Sequence, residues 1–434
     1  MTKTIASEIE STVSNVEIVS EENLAPNWQE GITTNNHPSC LVSPYTPEAL
    51  SQVMEIAHSH RWRVMPCGSG SKLTWGGLPS DIDLIISTQY LNRIIDHAVG
   101  DLTVTLEAGV KLADLQHTLN QAGQFLPLDP AYPESATLGG IVATTDSGSW
   151  RQRYGGVRDV IIGISFIRAD GQIAEAGGRV VKNVAGYDLM KLFTGSYGTL
   201  GIISQLTMRV YPLGEAAGTF VLTGDNEVIA QASQTLLAST LTPTAADLLS
   251  ASVVINQGIG QGMGLMVRFQ SIAASVEQQS AHLEAIAQKL GLQASFYHDT
   301  EEQNLWQNLR QLVREPTSAS AITCKMGLKP NAAVNFLAHL GEITSQDGWG
   351  IVHARSGLGQ LHLDGEDSLN RVSKLRSRCQ ENSGFLTVLE APTTLKQQLD
   401  PWGYTGNALD LMRRLKQQFD SENLLSPGSF VGGI

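Results

Sequence analysis

The sequence predicts an α+β protein built in two unlike parts. Three observations carry that expectation. Residues 41–211 alternate short apolar runs with amphipathic stretches under dense glycine punctuation. From about Gly218 glycine thins and long amphipathic segments take over, residues 271–290 among them. In that second part, strand-like and helix-like segments follow the order β-α-β-β-α-β twice, the pattern of two ferredoxin-like halves, although the halves share no residue pattern. A chain of 434 residues has room for two or three domains. The expected divisions are a flexible acidic tail over 1–36, a first domain over 37–214, a second over 215–400, and a closing segment over 401–434 that returns to the first.

In the first part, Pro47 to His60 reads as a helix, with Leu50, Val53, Met54 and Ala57 on one face. A strand at 62–65 leads into Pro66 and a glycine loop. Residues 84–87, 103–107, 160–168 and 202–210 read as strands, and 112–122 as a helix that Gly123 can cap. In the second part, strands are expected at 219–223, 250–255, 263–270, 293–298, 319–327, 349–353, 359–364 and 385–390. Helices are expected at 226–239, 273–290, 301–313, 331–342 and 367–382, with a last one at 407–419.

The net charge is −13 with no basic block, which argues against nucleic acid or an anionic membrane surface as the main partner. No apolar run approaches the ~20 residues needed to span a bilayer. The N-terminus is acidic and lacks a basic-then-apolar leader, so a cytoplasmic protein is expected, membrane-peripheral only through partners. Cys40, Cys67, Cys324 and Cys379 stand singly, without a C-x-x-C pair, so no zinc or iron–sulfur motif and no metal site is expected. No G-x-S-x-G is present, which argues against nucleophilic hydrolysis.

Two glycine loops stand out. The first is Pro66-Cys67-Gly68-Ser69-Gly70-Ser71-Lys72. Glycines one residue apart let the backbone turn tightly and aim successive N–H groups inward, a nest suited to phosphate oxygens; G-S-G-S is equally an ordinary turn. It does not match the Rossmann or P-loop patterns. The second runs from Pro133 to Gly148, with small residues, the pair Gly139-Gly140 and several hydroxyls. That composition suits close approach to a sugar or ring edge. Trp150, Arg151 and Arg153 follow it, with no direction fixed by sequence. Then come Tyr154–Asp159, Gly177–Leu189 and Gly195–Ile203.

Taken in order, these pieces resemble the FAD domain of the vanillyl-alcohol-oxidase/p-cresol-methylhydroxylase family over residues 38–213. Lys182-Asn183-Val184-Ala185-Gly186-Tyr187-Asp188-Leu189 with Gly195–Ile203 is similar to the branch of D-lactate dehydrogenases and glycolate oxidases. Phe419-Asp420-Ser421-Glu422-Asn423-Leu424-Leu425-Ser426-Pro427-Gly428 is similar to that branch's closing F-D-P-x-x-x-x-N-P-G, with Ser421 for Pro and Ser426 for Asn. The resemblance implies a two-part FAD-binding domain of the p-cresol-methylhydroxylase type, with a ferredoxin-like cap. It implies that Pro66, Cys67, Gly68, Ser69, Gly70 and Ser71 wrap the FAD pyrophosphate. Pro133, Ala136, Thr137, Leu138, Gly139, Gly140, Ala143, Thr144 and Thr145 would line the pyrophosphate and flavin side, and Gly198 and Ile202 would lie near the adenine. Some members tether the flavin through a first-loop histidine. None occurs between His60 and His97, so non-covalent FAD is expected.

Oxidation of a hydroxy acid also needs a base and a cation for the carboxylate. The branch carries H-A-G-D-G-N-L-H in the cap, and a later glutamate-histidine-glycine. The related stretch here is His353-Ala354-Arg355-Ser356-Gly357-Leu358-Gly359-Gln360-Leu361-His362, with two residues inserted between the histidines, Leu358 in place of Asp, and no E-H-G after His362. His353 and His362 are candidates for acid–base work or polar residues of the cap. Arg355 is a candidate carboxylate clamp or a solvated side chain, and Lys325 could serve the same end. These departures resemble the FAD-binding accessory subunit family of glycolate oxidase. That implies a complex with a paralogous catalytic flavoprotein and an iron–sulfur subunit, acting on a small 2-hydroxy acid by oxidation or electron relay. A stand-alone FAD-dependent hydroxy-acid dehydrogenase, and a structural subunit stabilised by FAD, are the alternatives.

Overall fold

A computed structural model describes residues 4–25, 28, 38–179, 186–314, 318, 320–344, 348–364 and 367–434. Residues 180–185, within the Gly177–Leu189 segment that carries part of the family resemblance, lie outside them. The chain divides into two compact units: Met1–Ser147, Gly156–Pro212 and Tyr404–Ile434 form one, Gly148–Gly155 and Leu213–Gly403 the other. The expected boundaries at 214 and 400 differ by a few residues, and the short stretch 148–155 was not anticipated as part of the second unit.

The first unit holds two principal sheets. One has the strand order Val16–Ser20, Cys40–Pro44, Leu84–Ser87, Val64–Cys67. Its first pair is antiparallel and the other two pairs are parallel. The helix Pro47–His60 supplies the crossover. Thr46 accepts from the Ala49 amide as its N-cap, Pro47 sits in the first turn, and Arg61 closes it in a left-handed conformation. It buries Leu50, Val53, Met54 and Ala57, the face read from sequence. The second sheet is antiparallel, in the order Ile94–Ala98, Thr103–Glu107, Ile202–Arg209, Ile161–Ile167, Ile173–Gly177.

The acidic N-terminal stretch is not a loose tail up to residue 36. Ile5–Thr12 is a helix capped by Thr4, and Val16–Ser20 is a strand paired with Cys40–Pro44. Ile9 and Val13 are buried against Cys40, Val42 and Leu50. A handful of apolar residues at helical and alternate spacing outweighed the acidic composition. The expected strand at 160–168 begins one residue late, because Val157–Val160 forms a helical turn.

The C-terminal segment returns to the first sheet. The Val64 amide donates to the Leu424 carbonyl at 2.7 Å, and the Ser426 amide to the Val64 carbonyl at 2.8 Å. Buried Lys416, on the helix Leu409–Phe419, holds the return. Its Nζ donates to the carbonyls of Thr199 at 3.0 Å and Leu425 at 2.7 Å, and to Asp420 Oδ2 at 2.6 Å. Burial pulls this ammonium below its ordinary pKa, against the pull of Asp420.

The second unit is one eight-stranded antiparallel sheet, in the order Gln293–His298, Ala216–Gly224, Met263–Ser271, Ala245–Leu249, Trp349–His353, Leu358–Leu363, Ile322–Gly327, Phe385–Glu390. One face carries Leu222, Leu248, Leu265, Cys324, Leu361 and Val388 beneath the helices Asn226–Ala238, Ala273–Leu290 and Ser368–Glu381. The other face carries Val221, Leu249, Met266, Trp349 and Ile351 against Leu305, Trp306 and Leu309 of the helix Asp299–Arg314. Two expectations fail here. Residues 250–255 are not a strand: Ala245–Leu249 is, and Ala251–Asn256 is a short helix. The β-branched run Val253-Val254-Ile255 suggested extended chain, but Val253 and Val254 pack as one buried helical face. The helix expected at 331–342 is broken into Pro330–Ala332, Ala333–Ala338 and Leu340–Thr344.

Candidate FAD cleft and cap histidines

In the first unit, a cleft of about 910 Å³, partly open to solvent, is lined by Pro66 through Ser71, Thr137, Gly139, Gly140, Ala143, Thr144, Gly198 and Ile202. The loop at its floor leaves the end of the strand Val64–Cys67 and is pinned from outside. Ser87 Oγ donates to the Gly68 carbonyl at 2.7 Å, the Thr88 amide to the Cys67 carbonyl at 2.9 Å, and Ser69 Oγ to the Ser135 carbonyl. The amides of Gly68, Ser69, Gly70 and Ser71 have no acceptor among the described residues. Four such donors in a row form a cradle for an oxyanion. The cradle has no room for side chains. A Cβ at Gly68 would lie 2.0 Å from Thr137 Oγ1, and Gly70 has φ +81, a conformation few other residues adopt.

The second loop enters the wall as the helix Leu138–Thr144. Thr137 caps it by accepting from the Gly140 amide, and Leu138 and Gly139 donate to the carbonyls of Val110 and Ala108. Its first amides are therefore spent within the protein, and this loop offers close approach rather than donors. Ala136 and Leu138 are buried behind the wall, Pro133 accepts from the Ala113 amide, and Thr145 is the left-handed cap of the helix; none of these four lines the cleft.

Sequence reasoning missed several wall residues: Lys72, Trp75, Thr88, Ser196, Tyr197 and Ser426. Lys72 pairs with Asp146 at 2.8 Å, with side chains 5% and 6% exposed, and its ammonium lies 5.2 Å from the Trp75 ring centroid. The Ala131 amide donates to the same Asp146 oxygen at 3.1 Å. Both partners stood in the two loops singled out from sequence, but a pairing across them has no local signal. Burial pushes the Cys67 thiol and the Tyr197 phenol well above their ordinary pKa values, so neither ionises readily.

The cap residues lie in the second unit. His353 ends the strand Trp349–His353, and its Nδ1 lies 2.7 Å from Oδ1 of fully buried Asp247. Ser149 Oγ donates to the other oxygen of Asp247. His362 pairs in register with Trp349 and stacks on it, with centroids 5.3 Å apart. His353 lies four residues further along that strand, so the two imidazoles are separated by about 13 Å at about 3.3 Å per residue. Arg355 is exposed on the turn between the two strands. The structure therefore does not gather His353, Arg355 and His362 at one point. No cluster of three or more His, Cys, Asp or Glu able to hold a metal occurs among the described residues. Lys325 lies opposite Gln360 and Thr387 in register. Trp150 packs against the apolar cluster around Leu249 and Trp349, while Arg153 is exposed.

Burial lowers the His362 pKa below its ordinary value of 6.5. The unfolded chain therefore takes the proton first as pH falls, and the stability His362 contributes is present above about 6.5 and lost below it, down to the folded-state value. The expected result is that urea unfolding of the second unit shifts to lower denaturant below that pH. In His362→Phe protein that acid dependence should be flatter.

The chain is similar to models of known families and to known proteins. Residues 38–177 match the FAD binding domain and residues 394–430 the C-terminal domain of FAD linked oxidases. Glycolate oxidase subunit GlcD of Bacillus subtilis (strain 168) is 26% identical over 417 residues, covering 90% of this chain and 88% of that protein. D-2-hydroxyglutarate dehydrogenase of Stutzerimonas stutzeri (strain A1501) is 31% identical over 173 residues, covering 40% of this chain and 37% of that protein. The fold is that of p-cresol methylhydroxylase, with a TM-score of 0.74 at 15% identity over 98% of this chain and 96% of that one. The matched FAD-linked oxidase domains and the oxidase and dehydrogenase relatives make this chain an FAD-dependent oxidoreductase. Two stretches of the chain are thus similar to FAD-linked oxidases, and its fold is of the p-cresol-methylhydroxylase type. The free amides and the absent Cβ atoms fit a dinucleotide diphosphate.

Proposed function

We propose that this chain is the FAD-binding subunit of a glycolate oxidase or dehydrogenase complex, oxidising a 2-hydroxy acid or relaying electrons through non-covalent FAD. The observation that carries the reading is the run of four unpaired amides, Gly68 to Ser71, at the floor of the cleft. They would hold the pyrophosphate, with Thr137, Gly139, Gly140, Ala143 and Thr144 in close approach to the rest and Gly198 and Ile202 toward the adenine. Non-covalent attachment is supported by the lack of a first-loop histidine. The substrate class is supported by relatives named for glycolate, D-lactate and D-2-hydroxyglutarate. A partner flavoprotein and an iron–sulfur subunit are supported by the word subunit in the name of the first of these. When bound, FAD supplies the two-electron acceptor for the hydride at C2 of the acid. The chain's own part is to take the hydroxyl proton, for which His353 is the candidate base, and to hold the carboxylate, for which Arg355, two residues further along, is the candidate; His362, stacked on Trp349, stands apart from both.

Anaerobic mixing with glycolate or D-lactate tests this directly. The purified protein is expected to be yellow, to release its flavin on denaturation, and to bleach with one of these acids. Bleaching only when the partner flavoprotein is present would assign the chain to electron relay. No bleaching in either case would leave FAD as a stabilising ligand and defeat the oxidative reading.

A further inference from the structure

We propose that Asp247 and Ser149 are positioning residues that fix His353 in the one tautomer able to act as a base. This inference rests on His353 being the base named above, and it concerns how the fold prepares that imidazole.

Asp247 faces His353 in register across adjacent strands, on the sheet face that also carries Leu249, Trp349 and Ile351. Its side chain is 0% exposed. A carboxylate in such surroundings is costly unless both oxygens are bonded. Both oxygens are bonded, each to a different group. Oδ1 meets His353 Nδ1 at 2.7 Å, and Oδ2 accepts from the Ser149 hydroxyl. A carboxylate has no proton to give, so Nδ1 carries the hydrogen, and in the neutral imidazole the lone pair is on Nε2. Nε2 has no partner among the described residues. Ser149 comes from the stretch 148–155, which belongs to the same unit as the strands it joins. Its hydroxyl fills the second oxygen, so the carboxylate cannot rotate away from the imidazole.

The order of contacts excludes a hydrolytic triad. Ser149 donates to Asp247 and not to His353, so the imidazole cannot withdraw its proton and the hydroxyl is no nucleophile. What remains is a carboxylate–imidazole pair with one open nitrogen. In the oxidation, the O–H bond of the substrate breaks and its proton goes to Nε2. The C2–H bond would break with its electron pair leaving as hydride, for which bound FAD would be the acceptor, and the C=O bond would form. The imidazolium so produced is paired with Asp247, and no further reactant is required.

The test uses full-length holoprotein labelled with 15N-histidine. The His353 signal is identified by its loss in His353→Gln protein. The expected wild-type pattern is a protonated Nδ1 and an unprotonated Nε2. In Asp247→Leu protein, which offers the sheet an apolar residue of similar size, the proton is expected to move to Nε2. With a 2-hydroxy acid, kcat of that variant should fall on the order of 10²-fold or more, with KM changed by less than about threefold. The Asp247→Leu/His353→Gln double variant should lose little beyond His353→Gln alone. If Asp247→Leu fails to fold, Ser149→Ala gives the same readouts with a smaller loss of kcat, and the wild-type spectrum needs no variant. A wild-type signal with Nε2 protonated, or an Asp247→Leu protein with unchanged kcat, overturns the proposal. Failure of the substrate reading has a different signature: the expected tautomer in protein that no 2-hydroxy acid bleaches.

Discussion

Gly68→Leu protein is expected to fold and to purify without flavin. The first atom of any side chain at this position falls 2.0 Å from Thr137 Oγ1 and 3.0 Å from Thr137 Cβ. Thr137 cannot step aside cheaply, because its hydroxyl caps the helix that forms the opposite wall. The loop must move instead, and the amides of Gly68 to Ser71 lose their common focus. A loss of at least about 100-fold in FAD affinity follows, equivalent to about 2.8 kcal/mol at 1.4 kcal/mol per decade. Fluorescence titration of apoprotein with FAD measures it. Gly100→Ala is the control, since a Cβ there meets nothing within 4 Å. Full flavin occupancy in the Gly68→Leu protein would place the pyrophosphate elsewhere.

Lys72→Met protein is expected to lose about 3–5 kcal/mol of stability in the first unit, because it strands a buried carboxylate. Asp146 would keep only the Ala131 amide, and Thr144 Oγ1, 3.5 Å from Nζ, would lose a neighbour. Urea unfolding followed in the first unit should show the shift. Lys72→Met/Asp146→Leu should recover most of it, since replacing a buried ion pair by apolar residues is often neutral. Because Lys72 also lines the cleft, FAD binding should weaken in the single variant. An unchanged midpoint would mean that water reaches Asp146 and the pair is not sealed.

The features legible in the sequence were those with a local signature. Gly68 and Gly70 announce a tight turn whatever the fold, and the helix Pro47–His60 shows its cap, its proline and its apolar face within fourteen residues. What sequence reasoning missed depends on partners far along the chain. Asp247 is one acidic residue among apolar neighbours and was not singled out; only the pairing of Ala245–Leu249 with Trp349–His353 makes it the partner of His353. Lys72 and Asp146 are 74 positions apart. The N-terminal strand was hidden by its acidic neighbours, and Val253-Val254-Ile255 misled because β-branched residues describe a preference that tertiary packing overrides.

Ser426 and Ser429 stand in the wall of the same cleft that Pro66 opens, some 360 residues earlier. During synthesis the glycine turn leaves the ribosome long before the stretch that shuts the far side exists. The cleft is therefore whole only once the last few residues of its wall have folded back onto a turn made at the other end of the chain.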